Sequence, residues 1–235
     1  MSTRSPVALI VGMGPGLSAA LAERFGAGGY AIAGFSRQPG KSDAIVARVQ
    51  QRGRDMVMHA VDASDFASLA GTIADIETTT GPIEVLIYNA YRASYALPSS
   101  VPPDELMADI RVNVGGALAA VQAVLPAMRR RGRGSILLTG GGLALDPTGW
   151  LEASSLAVGK AGLRSLAYTL NKELTGTGLR VSTVTVAGPI AAGTGFAPEL
   201  IAEAFWQLHV AEGEAPAEII YRGPPVGEAR QPERT

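Results

Sequence analysis

Gly12, Gly14 and Gly16 stand between an apolar run, Val7-Ala8-Leu9-Ile10-Val11, and the segment Leu17-Ser18-Ala19-Ala20-Leu21-Ala22-Glu23-Arg24-Phe25. The chemistry open to such a turn is anion binding. Glycine lets the backbone turn sharply and approach a ligand. The helix that follows aims its free N–H groups and positive dipole end back at the turn. An apolar run without polar alternation reads as a strand buried on both faces. Strand, glycine turn and helix, at the head of an alternating α/β pattern, are the context that a dinucleotide pyrophosphate site requires. Ser36 and Arg37 close the second apolar run, and no carboxylate stands there. An acid at that point would take a ribose 2′-hydroxyl and an arginine a 2′-phosphate, so Arg37 points to NADP(H) over NAD(H). A solvated loop arginine is the plainer alternative. Asp62 ends the third run, where it suits an adenine amine or, equally, a turn.

The elements that must hold these residues alternate along the chain. Strands are expected at 7–11, 30–35, 56–61, 83–88, 135–139 and 179–186, with an edge strand at 218–221. Helices are expected at 17–25, 43–51, 66–77, from Pro103 towards Met128, at 155–174, and from Pro198 to about His209. Gly28-Gly29 breaks the first helix, and Ser64-Asp65 supplies a cap for the third. Gly140-Gly141-Gly142 reads as a turn after the fifth strand, where backbone could lie against a ligand. Arg129-Arg130-Arg131 and Arg133 suggest a nucleic-acid patch, but cations at a helix C-terminus followed by glycine explain them better. His59 is a lone strand histidine with a structural reading.

With 235 residues, the chain suits one large α/β domain, residues 1–221, followed by a flexible tail over 222–235. Hydrophobic residues make up 47% and charged residues 17%, which supports a sizeable core. A net charge of −1 argues against nucleic-acid binding as the main task. The chain has no cysteine, so disulfides and thiolate metal sites are excluded, and no metal site is expected. The first apolar run is too short for a membrane span or signal core. A small-molecule substrate and a cytoplasmic location are the expectation.

Taken together, the motifs resemble the short-chain dehydrogenase/reductase family over nearly the whole chain. Gly12, Gly14 and Gly16 match its glycine turn, with Ser18 where its last glycine is usual. Asp62 matches its adenine-contacting acid, and Tyr88-Asn89-Ala90-Tyr91 resembles a degraded form of its Asn-Asn-Ala-Gly. Asn113 matches the helix asparagine of its catalytic tetrad, and Lys160 the lysine of its active-site helix. Ala187-Gly188-Pro189-Ile190, with Thr194, is similar to the stretch that meets the nicotinamide. The resemblance implies a three-layer doubly wound (Rossmann) fold with a mainly parallel sheet of about seven strands. It implies cofactor contacts from Gly12, Gly14, Gly16, Leu17, Arg37, Asp62, Ala63, Asn89, Ala90, Lys160, Gly188, Ile190 and Thr194. It also implies a homodimer or homotetramer, paired through the long helices that carry Asn113 and Lys160.

Two catalytic positions do not carry over. Leu156 stands where the family tyrosine precedes its lysine by four residues, and Gly140-Gly141-Gly142 stands where the family serine follows the fifth strand. Leucine cannot donate a proton. Lys160 is expected to bond the nicotinamide ribose and add positive charge near a developing oxyanion, with Asn113 holding a water chain behind it. The proton then has three explanations. Tyr91 or Tyr95 could donate it, Tyr91 being placed in the catalytic set. The substrate could need less acid help, as a conjugated enone, enoyl thioester or iminium would. Or hydride transfer is lost and the protein only binds nucleotide, as a redox sensor or inactive oligomer partner. The segment from Phe196 to His209, with Phe205 and Trp206, is expected to cover the substrate mouth.

Overall fold

In the computed structural model, residues 4–224 are described. The first strand, β1 (Val7–Val11), is buried along its whole length, as its unbroken apolar composition requires. It is followed by α1 (Leu17–Ala27), β2 (Ala31–Ser36), α2 (Asp43–Gln51), β3 (Met56–Ala60), α3 (Phe66–Thr79) and β4 (Ile83–Tyr88). The chain continues through α4 (Pro103–Ile110), one π-helical turn (Arg111–Gly116) and α5 (Ala117–Arg131) into β5 (Gly134–Gly141). Among the described residues the last elements are α6 (Ser154–Glu173), β6 (Leu179–Val186), α7 (Pro198–Val210) and β7 (Glu218–Tyr221).

The seven strands form one sheet in the order β3-β2-β1-β4-β5-β6-β7, and every pairing is parallel. Two apolar layers cover its faces. One joins the sheet to α3, α5 and α6 through residues such as Leu69, Val121 and Leu163. The other joins it to α1, α2 and α7 through Leu21, Val49 and Phe205. The order of strands reverses between β1 and β4, and a crevice opens at their C-terminal ends.

The helix expected from Pro103 to Met128 is real but interrupted. Arg111–Gly116 winds as a π-turn, which brings Asn113 to the floor between α4 and α6. Such turns cost regular hydrogen bonding and recur at functional sites. The 29-residue stretch Pro103–Arg131 is long and apolar enough to cross a membrane, and its 18-residue apolar window is 44% buried inside the fold. The glycine turn after the fifth strand starts later than expected, because Gly140 and Gly141 still pair with Thr185 and Val186 of β6. Arg129, Arg131 and Arg133 form ion pairs with Glu173, Glu77 and Glu84, and Gly132 closes α5 in the left-handed conformation. That is the helix-terminus reading of the arginine run.

The expectation for α7 is corrected. Phe205 is fully buried, and Trp206 packs edge-on against Phe25. His209 Nε2 meets the Tyr30 hydroxyl at 2.8 Å, and its Nδ1 meets the Ser135 hydroxyl at 2.8 Å. Ser135 lies at the start of β5 and Tyr30 just before β2, so these aromatic groups lock the edge of the sheet opposite the crevice. The apolar face of α7 packs on α1 and on the sheet, which turns it away from a substrate mouth. His59 stacks edge-on against Phe35, in keeping with its structural reading. Most of the expected C-terminal tail, 225–235, lies outside the described residues, as do residues 1–3 of the expected domain.

Candidate active site

A cleft of about 890 Å³ runs along the C-terminal ends of β2, β1, β4 and β5. Gly12 turns the chain out of β1 with φ +93°, and a Cβ on it would stand 2.4 Å from the Ala90 nitrogen. Only glycine satisfies both conditions. The next residues lead into α1, which starts at Gly16 with no side-chain cap and no acid in its first turn. Its N-terminal donors are therefore left for an anion in the cleft.

Ser18, at the position of the family's last glycine, is buried. Its hydroxyl donates to the Gly12 carbonyl at 2.7 Å and accepts from Asn89 Nδ2 at 2.8 Å. Asn89 N also donates to the Val11 carbonyl at 2.8 Å. The side chain thus ties the end of β4 to the glycine turn, a role glycine could not perform.

At one end of the cleft lie Ser36, Arg37 and Lys41, with Asp62 and Ala63 beside them. Asp62 Oδ1 accepts from the Ser64 backbone N–H at 2.8 Å and from its hydroxyl at 2.7 Å. These two bonds, with the charge of Arg37, hold the carboxyl below its ordinary range despite partial desolvation. The turn reading of Asp62 is therefore realised, and the same carboxylate still lines the cleft.

At the other end lie Tyr91, Gly141, Leu143, Leu156, Lys160 and Ile190. Lys160 Nζ donates to the Thr139 carbonyl at 2.7 Å. Burial of the ammonium lowers its pKa to about 8, since no carboxylate compensates the lost hydration. Leu156 sits one helical turn before it on α6 and presents an apolar wall. Tyr91 is 60% exposed at the rim. Tyr95 does not line the cleft; its ring packs on Trp150, with centroids 5.3 Å apart. Tyr88 is buried, and its hydroxyl donates to the Val112 carbonyl at 2.5 Å, which leaves it no part in the cleft.

Asn113 lies behind this wall. Its Oδ1 accepts from the Arg92 N–H and its Nδ2 donates to the Arg92 carbonyl, both at 2.8 Å. Both ends of the amide are taken, so its side chain acts here as a brace for the loop after β4. Arg92 in turn bonds Asp109 and Glu105. Asp109 is fully buried. Desolvation opposes its ionisation, but hydrogen bonds from Ser155, Ser94 and Arg92 outweigh it and hold the carboxyl low. Thr194 is not among the lining residues. Its hydroxyl donates to the Ala191 carbonyl at 2.8 Å and accepts from the Phe196 N–H at 3.0 Å, closing the loop after β6 on itself. Gly188 and Ile190 of that loop do line the cleft.

Two lining residues carry polar side-chain atoms that are buried without a hydrogen-bond partner: Ser36 Oγ and Thr139 Oγ1. Buried hydroxyls are rarely left so. With the uncapped α1 and the cations at the Arg37 end, they make a cleft that fits a long, polar, anionic ligand such as a dinucleotide. Neither hydroxyl was singled out by sequence reasoning. The available signal was a lone threonine after Ile136-Leu137-Leu138. Arg92 carried none, because its partners lie 13 and 17 residues away.

A parallel doubly wound sheet with a glycine turn at its switch point and a lysine beneath the cleft defines a nucleotide-binding oxidoreductase fold. The short chain dehydrogenase family model matches residues 6–199, and the chain belongs to that family of oxidoreductases. It is similar to 2,3-dihydro-2,3-dihydroxybenzoate dehydrogenase of Bacillus subtilis (strain 168), 28% identical over 178 residues, 76% of this chain and 67% of the relative. It is similar also to the 3-oxoacyl-[acyl-carrier-protein] reductase FabG of Escherichia coli (strain K12), 24% identical over 78% of this chain and 73% of the relative. A metagenomic short-chain oxidoreductase, solved in complex with NADP, shares the fold with a TM-score of 0.84 and 24% identity, covering 94% of this chain and 98% of that one.

Proposed function

We propose that the protein is an NADP(H)-dependent oxidoreductase acting on a small carbonyl, conjugated enone or enoyl, or imine substrate. The observation that carries this reading is Lys160, a cation held at depth by the Thr139 carbonyl in the same cleft as Gly12 and Arg37. A nicotinamide bound there would supply or accept the hydride. The chain's own part is to orient and to stabilise charge. Gly12, Gly14, Gly16 and Leu17 would receive the pyrophosphate, with Asn89 and Ala90 behind it. Arg37, with Lys41 beside it, favours a 2′-phosphate over a bare ribose, and so NADP(H) over NAD(H). Asp62 and Ala63 would face the adenine, and Gly188 and Ile190 the carboxamide end. Lys160 would hold the ribose and, for a carbonyl or enoyl acceptor, place positive charge near the oxygen on which negative charge develops, which lowers the barrier to forming that oxyanion.

Leu156 and Gly141 supply no proton. That favours acceptors whose reduced form is stabilised by conjugation, or which arrive already protonated, with Tyr91 as the substitute donor where one is needed. The test is to follow NADPH absorbance with the purified protein and a panel of ketones, enones, enoyl thioesters and imines. Turnover on at least one conjugated or imine acceptor is expected. Tight NADPH binding without turnover across the panel would instead support a non-catalytic nucleotide-binding protein, the reading that Leu156 itself favours. The same proposal takes the protein to be cytoplasmic and to form a homodimer or homotetramer through α4, α5 and α6. Cell fractionation and light scattering check these two points.

A further inference from the structure

We infer that Thr139 is a cofactor-binding residue, its hydroxyl bonding the nicotinamide-riboside half of the dinucleotide. The inference rests on the NADP(H) reading above. Thr139 is 6% exposed, it lines the cleft, and its Oγ1 has no hydrogen-bond partner. A buried hydroxyl without a partner carries a desolvation cost that nothing in the fold repays. Its methyl-bearing isostere, valine, would avoid that cost. Its neighbours Ile136, Leu137 and Leu138 are all apolar and all buried, so the strand itself has no need of a polar group there. The simplest physical use of the hydroxyl is a partner that arrives with the ligand.

The position selects which half of the ligand that partner belongs to. Thr139 lies on β5, and its backbone carbonyl already holds Lys160 Nζ at 2.7 Å. Two residues along the strand, a Cβ on Gly141 would stand 3.5 Å from the Lys160 side chain, and Thr139, Gly141 and Lys160 all line the cleft, so Thr139 belongs to the Lys160 end of it. Ser36 and Arg37 close β2, three strands away in the order β2-β1-β4-β5. At about 4.8 Å per strand that is roughly 14 Å, beyond the reach of one side chain. If Arg37 takes the 2′-phosphate, Thr139 is at the redox end.

The experiment is calorimetric titration of the wild-type protein, Thr139→Val and Thr139→Ser with two ligands, NADPH and adenosine 2′,5′-bisphosphate. The second carries the adenosine half alone. Thr139→Val is expected to raise the Kd for NADPH by about 3- to 10-fold, the size of one neutral hydrogen bond, and to leave the Kd for the bisphosphate unchanged. Thr139→Ser should restore NADPH affinity. Melting of the ligand-free proteins gives a separate reading: Thr139→Val should melt at or above the wild-type temperature, because an unmet polar group has been removed. Equal NADPH affinity in wild type and Thr139→Val overturns the inference, and so does an equal loss for both ligands. Failure of the wild-type protein to bind NADPH or NADH would overturn the cofactor reading itself, an outcome distinct from a silent Thr139.

Discussion

Asn89 Nδ2 lies 2.8 Å from Ser18 Oγ, joining the tip of β4 to the first turn of α1 across the switch point of the sheet. The same hydroxyl donates to Gly12, so one side chain fixes both walls of the proposed pyrophosphate site. Ser18→Ala leaves the Asn89 amide with only its long, 3.5 Å contact to the Gly12 carbonyl. It should lower stability by about 1–3 kcal/mol and weaken NADPH severalfold. Thermal melting and calorimetry read the two effects. Ser18→Gly, although it restores the family residue, should behave like Ser18→Ala.

Arg37→Asp should weaken NADPH far more than NADH. A charge-assisted contact to the 2′-phosphate is lost and a like charge is introduced, together an effect on the order of 10- to 100-fold. Parallel titrations with the two cofactors measure it. Equal losses would exclude the 2′-phosphate role.

Rebuilding the missing acid is a test of how intact the rest of the site is. A Cβ at Gly141 meets Lys160 at 3.5 Å, ordinary contact, whereas one at Gly140 would stand 2.5 Å from the Thr185 hydroxyl. The serine therefore belongs at Gly141. The double variant Leu156→Tyr with Gly141→Ser should gain at least 10-fold in ketone reduction over the parent, and Leu156→Tyr alone should gain less. Initial rates on a simple ketone check the ordering.

Stability should fall in acid in two stages. His209 is half-buried between Tyr30 and Ser135, and desolvation, with Arg180 adding to it, lowers its pKa from 6.5. The fold thus disfavours its protonation, and the stability this implies is present above about pH 6.5 and lost as the pH falls below it. Glu218 lies against the Arg164 guanidinium. Those bonds, with help from Thr185 and Tyr168, outweigh desolvation and bring its pKa from 4.5 to about 2. Its contribution is full above about pH 4.5 and disappears as the pH falls towards 2. Urea unfolding between pH 7.5 and 3 should show both losses, and Glu218→Gln should remove the lower one at a cost of about 3 kcal/mol at neutral pH.

Local chemistry was legible in the sequence wherever it is contiguous. The seven strands, the glycine turn, Asp65 as the cap of α3 and the arginines closing α5 each follow from residues within a few positions of one another. So does the face of α6 that carries Lys160. What escaped is chemistry made by distant partners. Asn113 and Arg92 meet across 21 residues, and His209 and Ser135 across 74. No periodicity announces such pairs. The aromatic content of α7 pointed to a mouth-covering segment because Phe205 and Trp206 look like a ligand wall. Tyr30 and Phe25, far back in the chain, had already claimed that face.

Arg92 has a consequence for anyone recruiting this scaffold to new reactions. It lines the cleft and so invites randomisation. Yet its main chain grips Asn113 while its guanidinium is anchored on α4, so one position couples the kink in the long helix to the loop above the reacting centre. Libraries that spare Arg92 and vary Leu143, Leu156 and Ile190 would reshape the cavity wall while leaving its mooring untouched.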